Sequence, residues 1–148
     1  MEVFSEIGAI EYYMRSAVTR HLPSGMTYAH FELLRHFMRH GDGQTPAELA
    51  GILLMTKGAV TNVLQKMEAQ GFIAVLADVS DRRKKRVRIT RTGLEAANCV
   101  FRNMKGKTDA LRSGFTDNEF REAVPFLKAL HTFLSEINEL DEPAAEIR

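Results

Sequence analysis

The chain has 148 residues, of which 45% are apolar and 26% charged, and its formal net charge is +1. This length fits one domain or two small lobes, and the composition is ordinary for a soluble globular protein. No apolar run approaches the roughly 20 residues that span a bilayer, the N-terminus lacks a signal-peptide pattern, and the single cysteine excludes an internal disulfide framework. These features predict a cytoplasmic protein.

The first part of the chain is predicted to be helical. Residues 3–20 carry apolar side chains at alternating spacings of four and three, which predicts an amphipathic helix. Pro23 and Gly25 end this segment, and a second helix is predicted to begin near Thr27 and to stop at residues 41–43. The buried face of the second helix is predicted to carry Phe31, Leu34 and Met38.

Two shorter helices follow, each with a capping signal. Thr45 and Glu48 form a capping box, and Pro46 occupies the first helical position, so a third helix is predicted to run to about residue 53. Thr56 is predicted to cap a fourth helix, which Gly71 ends in a left-handed conformation. The inward face of this fourth helix is predicted to carry Val60, Val63, Leu64 and Met67.

A dense basic segment follows the fourth helix. Seven of the ten residues 82–91 are Lys or Arg, and the short apolar runs 72–77 and 87–89 flank the charges, which predicts a β-hairpin with a basic tip. A cationic hairpin can reach between phosphates, although an isolated charge run is more often a solvated surface. Short helix, turn, helix and hairpin, in this order, predict a winged helix-turn-helix.

The predicted wing and fourth helix offer the side chains that contact with DNA requires. Short hydrogen-bonding groups on the outward side of the helix suit base edges, and cations suit phosphates. An ordinary solvated helix face is the alternative, and the adjacent basic hairpin decides against it. Asp81 is predicted to support the wing as an internal partner of Arg83 or Arg86. The predicted DNA-binding residues are Thr56, Lys57, Gly58, Thr61, Asn62, Gln65, Lys66, Arg82, Arg83, Lys84 and Lys85.

The remaining residues predict further helices that hold two copies together. Thr90 or Thr92 is predicted to cap a long connecting helix over residues 94–111, and Thr116 with Glu119 to open a last helix that kinks or restarts at Pro125. The apolar stripes of the first and last helices exceed what a small winged core can cover. Residues 27–93 are therefore predicted to bind DNA, and residues 1–26 and 112–148 to dimerise, with packing inside one chain as the alternative.

Four segments of the chain form a recognisable set of motifs, namely Thr45-Pro-Ala-Glu-Leu-Ala50, residues 56–73, Asp78-x-Ser-Asp-Arg-Arg83 and Val87-x-Ile-Thr-x-x-Gly93. Together they resemble the MarR family of bacterial transcriptional regulators. The resemblance implies an obligate homodimer on a pseudo-palindromic operator. It also implies repression that ends when a small anionic or aromatic compound binds or a thiol is oxidised. Asn62 departs from the arginine that the family often has there, and Ala74-Val75 replace an expected basic residue.

Other potential sites are weaker. Cys99 lies away from basic residues that would activate a thiol and is assigned to packing. His36 and His40 are four residues apart, but His30 falls on a different face, so no metal is predicted. No phosphate-cradling glycine loop, nucleophile motif or catalytic carboxylate pair is found, and neither enzymatic activity nor a cofactor is predicted.

The sequence thus predicts a mainly α protein with a β-hairpin wing, a winged helix-turn-helix that binds double-stranded DNA as a homodimeric, ligand-responsive repressor. A winged-helix module that docks proteins without binding DNA is the alternative function. An aromatic effector would suit a pocket lined by five residues, for which the alternative is ordinary core packing. These residues are Tyr12, Tyr13, His30, Phe31 and Phe37. The operator, the regulated genes and the sign of regulation cannot be predicted from the chain.

Overall fold

The computed structural model describes the backbone of residues 1–141 and the side chains of residues 1–138. This part of the chain is mainly helical with one antiparallel hairpin, as predicted. It divides into a unit that ends at Lys105 and a second that begins at Gly106. The elements are α1 (Glu2–Thr19), α2 (Tyr28–His40), α3 (Pro46–Leu53), α4 (Lys57–Ala69), β1 (Ile73–Ala77), β2 (Lys85–Ile89), α5 (Arg91–Asn103), α6 (Lys105–Gly114) and α7 (Asp117–Asp141).

The core of the first unit lies among α2, α3, α4, the hairpin and α5. The predicted inward face of α4 is confirmed, with Val63 partly buried against the core. On α2 the prediction was wrong at one position, because Met38 is 37% exposed. Leu33 and Phe37 are buried there beside the two correctly predicted residues, so the buried stripe is broader than predicted. The buried side chains on α4 are Val60, Leu64 and Met67.

The predicted caps fix where the short helices begin and end. The Thr45 hydroxyl accepts a hydrogen bond from the Glu48 amide at 3.2 Å, and the Glu48 carboxylate accepts one from the Thr45 amide at 3.4 Å. The Thr56 hydroxyl accepts from the Ala59 amide at 3.2 Å. Gly71 follows α4 with φ +77°, a left-handed conformation that glycine adopts without steric cost. The helix-turn-helix therefore follows from local signals.

The loop between α2 and α3 pairs with β2, which the sequence did not predict. The Gly43 amide donates to the Val87 carbonyl at 2.8 Å, and the Val87 amide donates to the Gln44 carbonyl at 2.9 Å. Asp42 extends this contact, because its carboxylate accepts from the Ile89 amide at 2.9 Å and from the Arg88 guanidinium at 3.0 Å. The loop thus acts as a third, irregular strand beside β2.

The start of α5 is held against the end of α4. Thr90 caps α5 through the Gly93 amide at 3.1 Å, and its hydroxyl donates to the Gly71 carbonyl at 2.5 Å. The Thr90 amide donates to the Phe72 carbonyl at 3.0 Å. A Cβ atom built on Gly93 would lie 2.1 Å from that same carbonyl oxygen, so only glycine allows this approach.

The connecting helix predicted over residues 94–111 is not continuous. Thr90, rather than Thr92, is the cap, and α5 ends at Asn103. Met104 has φ −90° and ψ −2°, outside the ideal helical range, and α6 begins at Lys105. Gly106, which follows directly, lowers the helix propensity at this point.

In the second unit, Thr116 and Glu119 form the predicted capping box. The Thr116 amide donates to the Glu119 carboxylate at 2.7 Å, and the Thr116 hydroxyl accepts from the Glu119 amide at 3.2 Å. The helix α7 runs through Pro125 without a restart, so that alternative was wrong. A proline removes one helical hydrogen bond, and the remaining bonds of this 25-residue helix carry it across the site. Residues 142–148 of the predicted dimerisation segment lie outside the described residues.

Among the described residues, no single helix is long and apolar enough to cross a membrane. The helices α3 and α4 meet the length and composition criteria only when taken together, and a bend of 107° separates them.

Candidate nucleic-acid interface

One side of α4 consists of exposed polar residues. The helix buries Val60, Leu64 and Met67, and the inferred contact residues alternate with them. The Thr61 hydroxyl donates to the Lys57 carbonyl at 2.9 Å, so the proton of this hydroxyl is already used within the helix. A base or phosphate would therefore meet the methyl group or a lone pair of Thr61. The exposed residues on this side are Lys57, Gly58, Thr61, Asn62, Gln65 and Lys66.

Thr56 occupies the end of this surface and has a structural role. Its hydroxyl caps α4, and Thr56 itself is exposed at the end of the turn that follows α3. The turn itself contains Leu54, whose φ of +54° is rare for a residue with a side chain. Thr56 and Leu54 together set the direction in which α4 leaves the turn.

The strands β1 and β2 pair antiparallel from Ile73 with Ile89 to Ala77 with Lys85. Residues 78–84 form the loop between them, and this places Arg82 and Arg83 in the predicted tip. Arg82, Lys84 and Lys85 are exposed and form no ion pair with another described residue. The wing therefore presents positive charge that is not neutralised by the described part of the chain.

Asp78 organises the wing, a role that the sequence did not reveal. It is only 9% exposed, and its carboxylate accepts hydrogen bonds from the Ser80 amide at 2.8 Å and the Ser80 hydroxyl at 2.7 Å. The Arg86 guanidinium donates to its other oxygen at 2.6 Å. The Ser80 hydroxyl, followed by Arg86, holds the pKa of Asp78 far below its usual range. These hydrogen bonds therefore favour the charged form of the Asp78 carboxylate.

The two predicted wing-supporting residues have different partners. Asp81 accepts from the Arg83 amide at 3.1 Å and from the Arg83 Nε at 3.2 Å, and this is one of the two partners predicted for it. The alternative pairing with Arg86 was wrong, because Arg86 binds Asp78 and also donates to the Gly43 carbonyl at 3.2 Å. The Arg83 side chain remains 92% exposed. Its terminal nitrogens can therefore meet a phosphate while Nε is held.

The residues of the predicted effector pocket have different surroundings in the described part of the chain. Tyr12 and Tyr13 are 65% and 71% exposed on α1, whereas Phe31 and Phe37 are core residues. His30 is also buried, and its Nδ1 accepts the Thr27 amide at 3.3 Å as part of a helix cap. Burial, followed by the charge of Lys66, lowers the pKa of His30. The aromatic rings of His30, Phe31 and Phe37 thus contribute to packing inside the first unit.

The other residues considered in the sequence have ordinary surroundings. Cys99 is partly buried, and the Asn103 amide nitrogen lies 3.8 Å from its sulfur. The rings of His36 and His40 are 5.0 Å apart. Among the described residues, no group of three or more His, Cys, Asp or Glu side chains has an arrangement that could hold a metal ion.

Comparison with known proteins agrees with this geometry. The architecture is that of a winged helix-turn-helix protein. Residues 24–84, which extend from the segment before α2 into the wing loop, match the family model described as MarR family. This region of the chain is thus similar to the MarR family, which agrees with the resemblance of its motifs. No curated protein matches the sequence.

Solved structures share the fold at low sequence identity. Staphylococcus aureus MepR in a DNA-binding conformation is 20% identical, with a TM-score of 0.77 over 89% of this chain and 98% of that chain. A MarR transcriptional regulator from Methanosarcina mazei is 24% identical, with a TM-score of 0.72 over 91% and 97%. A mutant of S. aureus MepR bound to an oligodeoxyribonucleotide is 21% identical, with a TM-score of 0.61 over 89% and 97%.

Proposed function

We propose that this protein is a transcriptional regulator that binds double-stranded DNA as a homodimer in the cytoplasm and represses the genes next to its pseudo-palindromic operator. The observation that carries the proposal is that the exposed polar side of α4 and the exposed cations of the wing lie on elements joined by a hydrogen bond, in which the Val75 amide on β1 donates to the Glu68 carboxylate on α4 at 3.0 Å. The MepR structures described above, one in a DNA-binding conformation and one with an oligodeoxyribonucleotide, support this proposal.

The two surfaces have different tasks in this proposal. Lys57, Lys66 and the wing contact phosphates, which supplies affinity and makes it depend on salt. Asn62 and Gln65 have the paired donor and acceptor that recognise adenine in the major groove, and these residues supply sequence preference. A protein-docking function would instead favour an apolar outward side of α4, and this side is polar and exposed.

Two substitutions separate these tasks. Arg83→Ala is expected to weaken binding to specific and nonspecific duplexes to a similar degree, and to lower the slope of log affinity against log salt by about 1.

Gln65→Ala is expected to cost about 1–3 kcal/mol of binding free energy at the cognate base pair and to change sequence preference. Fluorescence anisotropy with the upstream region and a scrambled duplex, across a salt series, measures both effects.

The matched control is Arg102→Ala, which removes an exposed arginine from α5 and should leave both affinities unchanged. If Arg83→Ala and Gln65→Ala both lowered affinity without altering preference, this division of tasks would be wrong. A flat salt dependence of the unmodified protein would contradict phosphate-driven binding altogether.

The homodimer is proposed because apolar side chains remain uncovered in both units. The helix α1 has no buried residue, and Ile10 and Met14 are 55% and 56% exposed. On α7, Phe126 and Phe133 are 58% and 60% exposed. Monomeric proteins rarely expose large contiguous apolar surface, and burial contributes on the order of 25 cal/mol per Å². A second copy of the chain is the proposed cover, and the alternation of apolar residues on α7 suits a helical interface.

Leu127→Asp is expected to convert the dimer to a monomer and to abolish operator binding, because a buried unpaired carboxylate strongly opposes association. Leu127 is 45% exposed on α7 and lies within the apolar stripe of that helix. The matched control is Thr132→Asp, an exposed position that at ~100° per residue lies at least 100° from Phe126, Leu127 and Phe133 and should leave the dimer intact. Sedimentation equilibrium measures the oligomeric state. Two variants that sediment alike would argue against this interface.

A further inference from the structure

Glu68 is an acid on the side of α4 that is proposed to face DNA. It is exposed, and at ~100° per residue it lies within about 60° of both Thr61 and Gln65. A carboxylate repels the phosphates that such a surface meets, so this residue weakens binding unless it has another task. Glu68 forms no ion pair with another described residue, so neutralising a cation of the protein is not that task.

The Glu68 carboxylate binds the outer edge of strand β1. Its Oε2 atom accepts a hydrogen bond from the Val75 amide at 3.0 Å. Val75 is paired with Val87, whose own amide and carbonyl bind residues 44 and 43 on the far side of β2. Opposite residues of an antiparallel ladder either both bond to each other or both point outward, so the Val75 amide points away from β2. Glu68 thus supplies the acceptor that a further strand would supply.

This hydrogen bond is a second attachment of β1 to α4. The first lies at the base of the hairpin, where the Phe72 amide donates to the Met67 carbonyl at 3.0 Å. One attachment is a pivot, whereas a second one farther along the strand fixes the angle between strand and helix. At ~3.3 Å per residue the start of the wing loop is roughly 20 Å from Phe72, so a swing of about 10° would move it by about 3–4 Å. Such a displacement is enough to break a hydrogen bond to a phosphate.

A cleft of about 280 Å³ lies between α4 and the hairpin. Gln65 and Glu68 line it from α4, and Val75 and Lys85 line it from the two strands. The Glu68 carboxylate is held by a main-chain amide and forms no ion pair with Lys85. Glu68 therefore joins the helix to the hairpin and leaves the charge of Lys85 available for DNA.

We propose that Glu68 is a positioning residue, which fixes the wing relative to α4 so that one duplex meets the base-reading side chains and the wing cations together. The inference rests on the proposed function, because it concerns how the same surface binds DNA. Once α4 occupies the major groove, a wing at a fixed angle already lies near its phosphates, which raises their effective concentration. A loosely held wing has to be ordered on binding, and this ordering lowers affinity.

Two substitutions that change the charge equally test the hydrogen bond. Glu68→Gln keeps an acceptor for the Val75 amide, Glu68→Ala removes it, and both remove the negative charge. We expect the Glu68→Gln variant to bind the operator at least as tightly as the unmodified protein, and the Glu68→Ala variant to bind about tenfold more weakly than Glu68→Gln. Fluorescence anisotropy measures these affinities. Glu95→Ala removes an exposed acid from α5 and, as the matched control, should not weaken binding.

Combination with Arg83→Ala separates positioning from a general loss of stability. Arg83→Ala should lower affinity about tenfold in the unmodified protein and in the Glu68→Gln variant, but about threefold or less in the Glu68→Ala variant. The reason is that a wing without a fixed angle gains little from the cation at its tip. Urea denaturation of each variant gives its free energy of unfolding, and binding is compared only under conditions in which all variants are folded.

Equal operator affinity of the Glu68→Gln and Glu68→Ala variants, or an equal effect of Arg83→Ala in both, overturns the proposal. Hydrogen exchange of the Val75 amide without DNA is the independent measurement. This exchange should be slow in the unmodified protein and in the Glu68→Gln variant, and faster in the Glu68→Ala variant. Failure of the unmodified protein to bind any duplex overturns the proposed function, whereas equal exchange in all three proteins overturns the role of Glu68 alone.

Discussion

Replacing Asp78 by alanine is expected to lower operator affinity by about a hundredfold, although the substitution removes a negative charge from a surface that meets phosphates. The Asp78 carboxylate binds Ser80 in the first part of the wing loop and Arg86 on strand β2, after the loop. Without it, Arg86 loses its ion-pair partner and keeps only the Gly43 carbonyl, and the loop that carries Arg82 and Arg83 loses its anchor at Ser80. The cost of ordering them again would fall on DNA binding.

The direction of the change in affinity separates two explanations, because loss of a negative charge alone would strengthen binding to DNA. Glu95→Ala also removes an acid, one that pairs on the surface with Arg91 at 3.0 Å, and should leave affinity unchanged or raise it slightly. Anisotropy measures affinity for both variants, and hydrogen exchange over residues 78–86 reports the order of the wing. Tighter binding by the Asp78→Ala variant would show that net charge outweighs the geometry of the wing.

Gly93→Ala is expected to destabilise the first unit by about 3 kcal/mol, near the upper range for overpacking substitutions. The added Cβ would lie 2.1 Å from the Phe72 carbonyl oxygen and 3.2 Å from Leu34 Cδ2. The clash involves backbone that is fixed by the Thr90 amide at 3.0 Å, so a rotamer change cannot relieve it. Urea denaturation measures the change in the free energy of unfolding.

Gly51→Ala is the matched control, because Gly51 lies inside α3 with nothing within 4 Å of an added Cβ. Alanine there should raise stability by about 0.5–1 kcal/mol through its higher helix propensity. If the two variants were equally stable, the close approach at Gly93 would not be the reason that glycine occupies that position.

Sequence reasoning succeeded where the signals are local. The caps at Thr45, Thr56 and Thr116 depend on residues three positions apart, and the left-handed stop at Gly71 depends on one residue. The hairpin follows from two apolar runs around a charged turn. Because these interactions involve chain neighbours, composition and spacing determine them, and they fix the order of elements that defines the winged helix-turn-helix.

Contacts between distant segments were not predictable in the same way. Asp42 binds Arg88 and Ile89 across 46 and 47 residues. Asp78 binds Arg86, which was one of the two alternative partners predicted for Asp81. Several acids stand near several arginines in the sequence, and only the folded backbone decides which pairs meet. The exposure of Met38 has a similar origin, since helical spacing does not show how wide a face the neighbouring elements cover.

The pairing of residues 42–44 with β2 has a consequence for the DNA. Main-chain hydrogen bonds between residues 43–44 and Val87 join β2 to the loop before α3, and the Val75 amide on β1 donates to the Glu68 carboxylate on α4 at 3.0 Å. The hairpin is thus attached to the helix-turn-helix through both of its strands. The distance between groove-reading helix and wing is then nearly constant within one protomer. On the proposed function, the bending then has to come from the duplex, and we expect pyrimidine–purine steps, which bend and unstack most easily, to be favoured between the two contacts. Part of the sequence preference of this protein would then be mechanical and would lie in base pairs that no side chain touches.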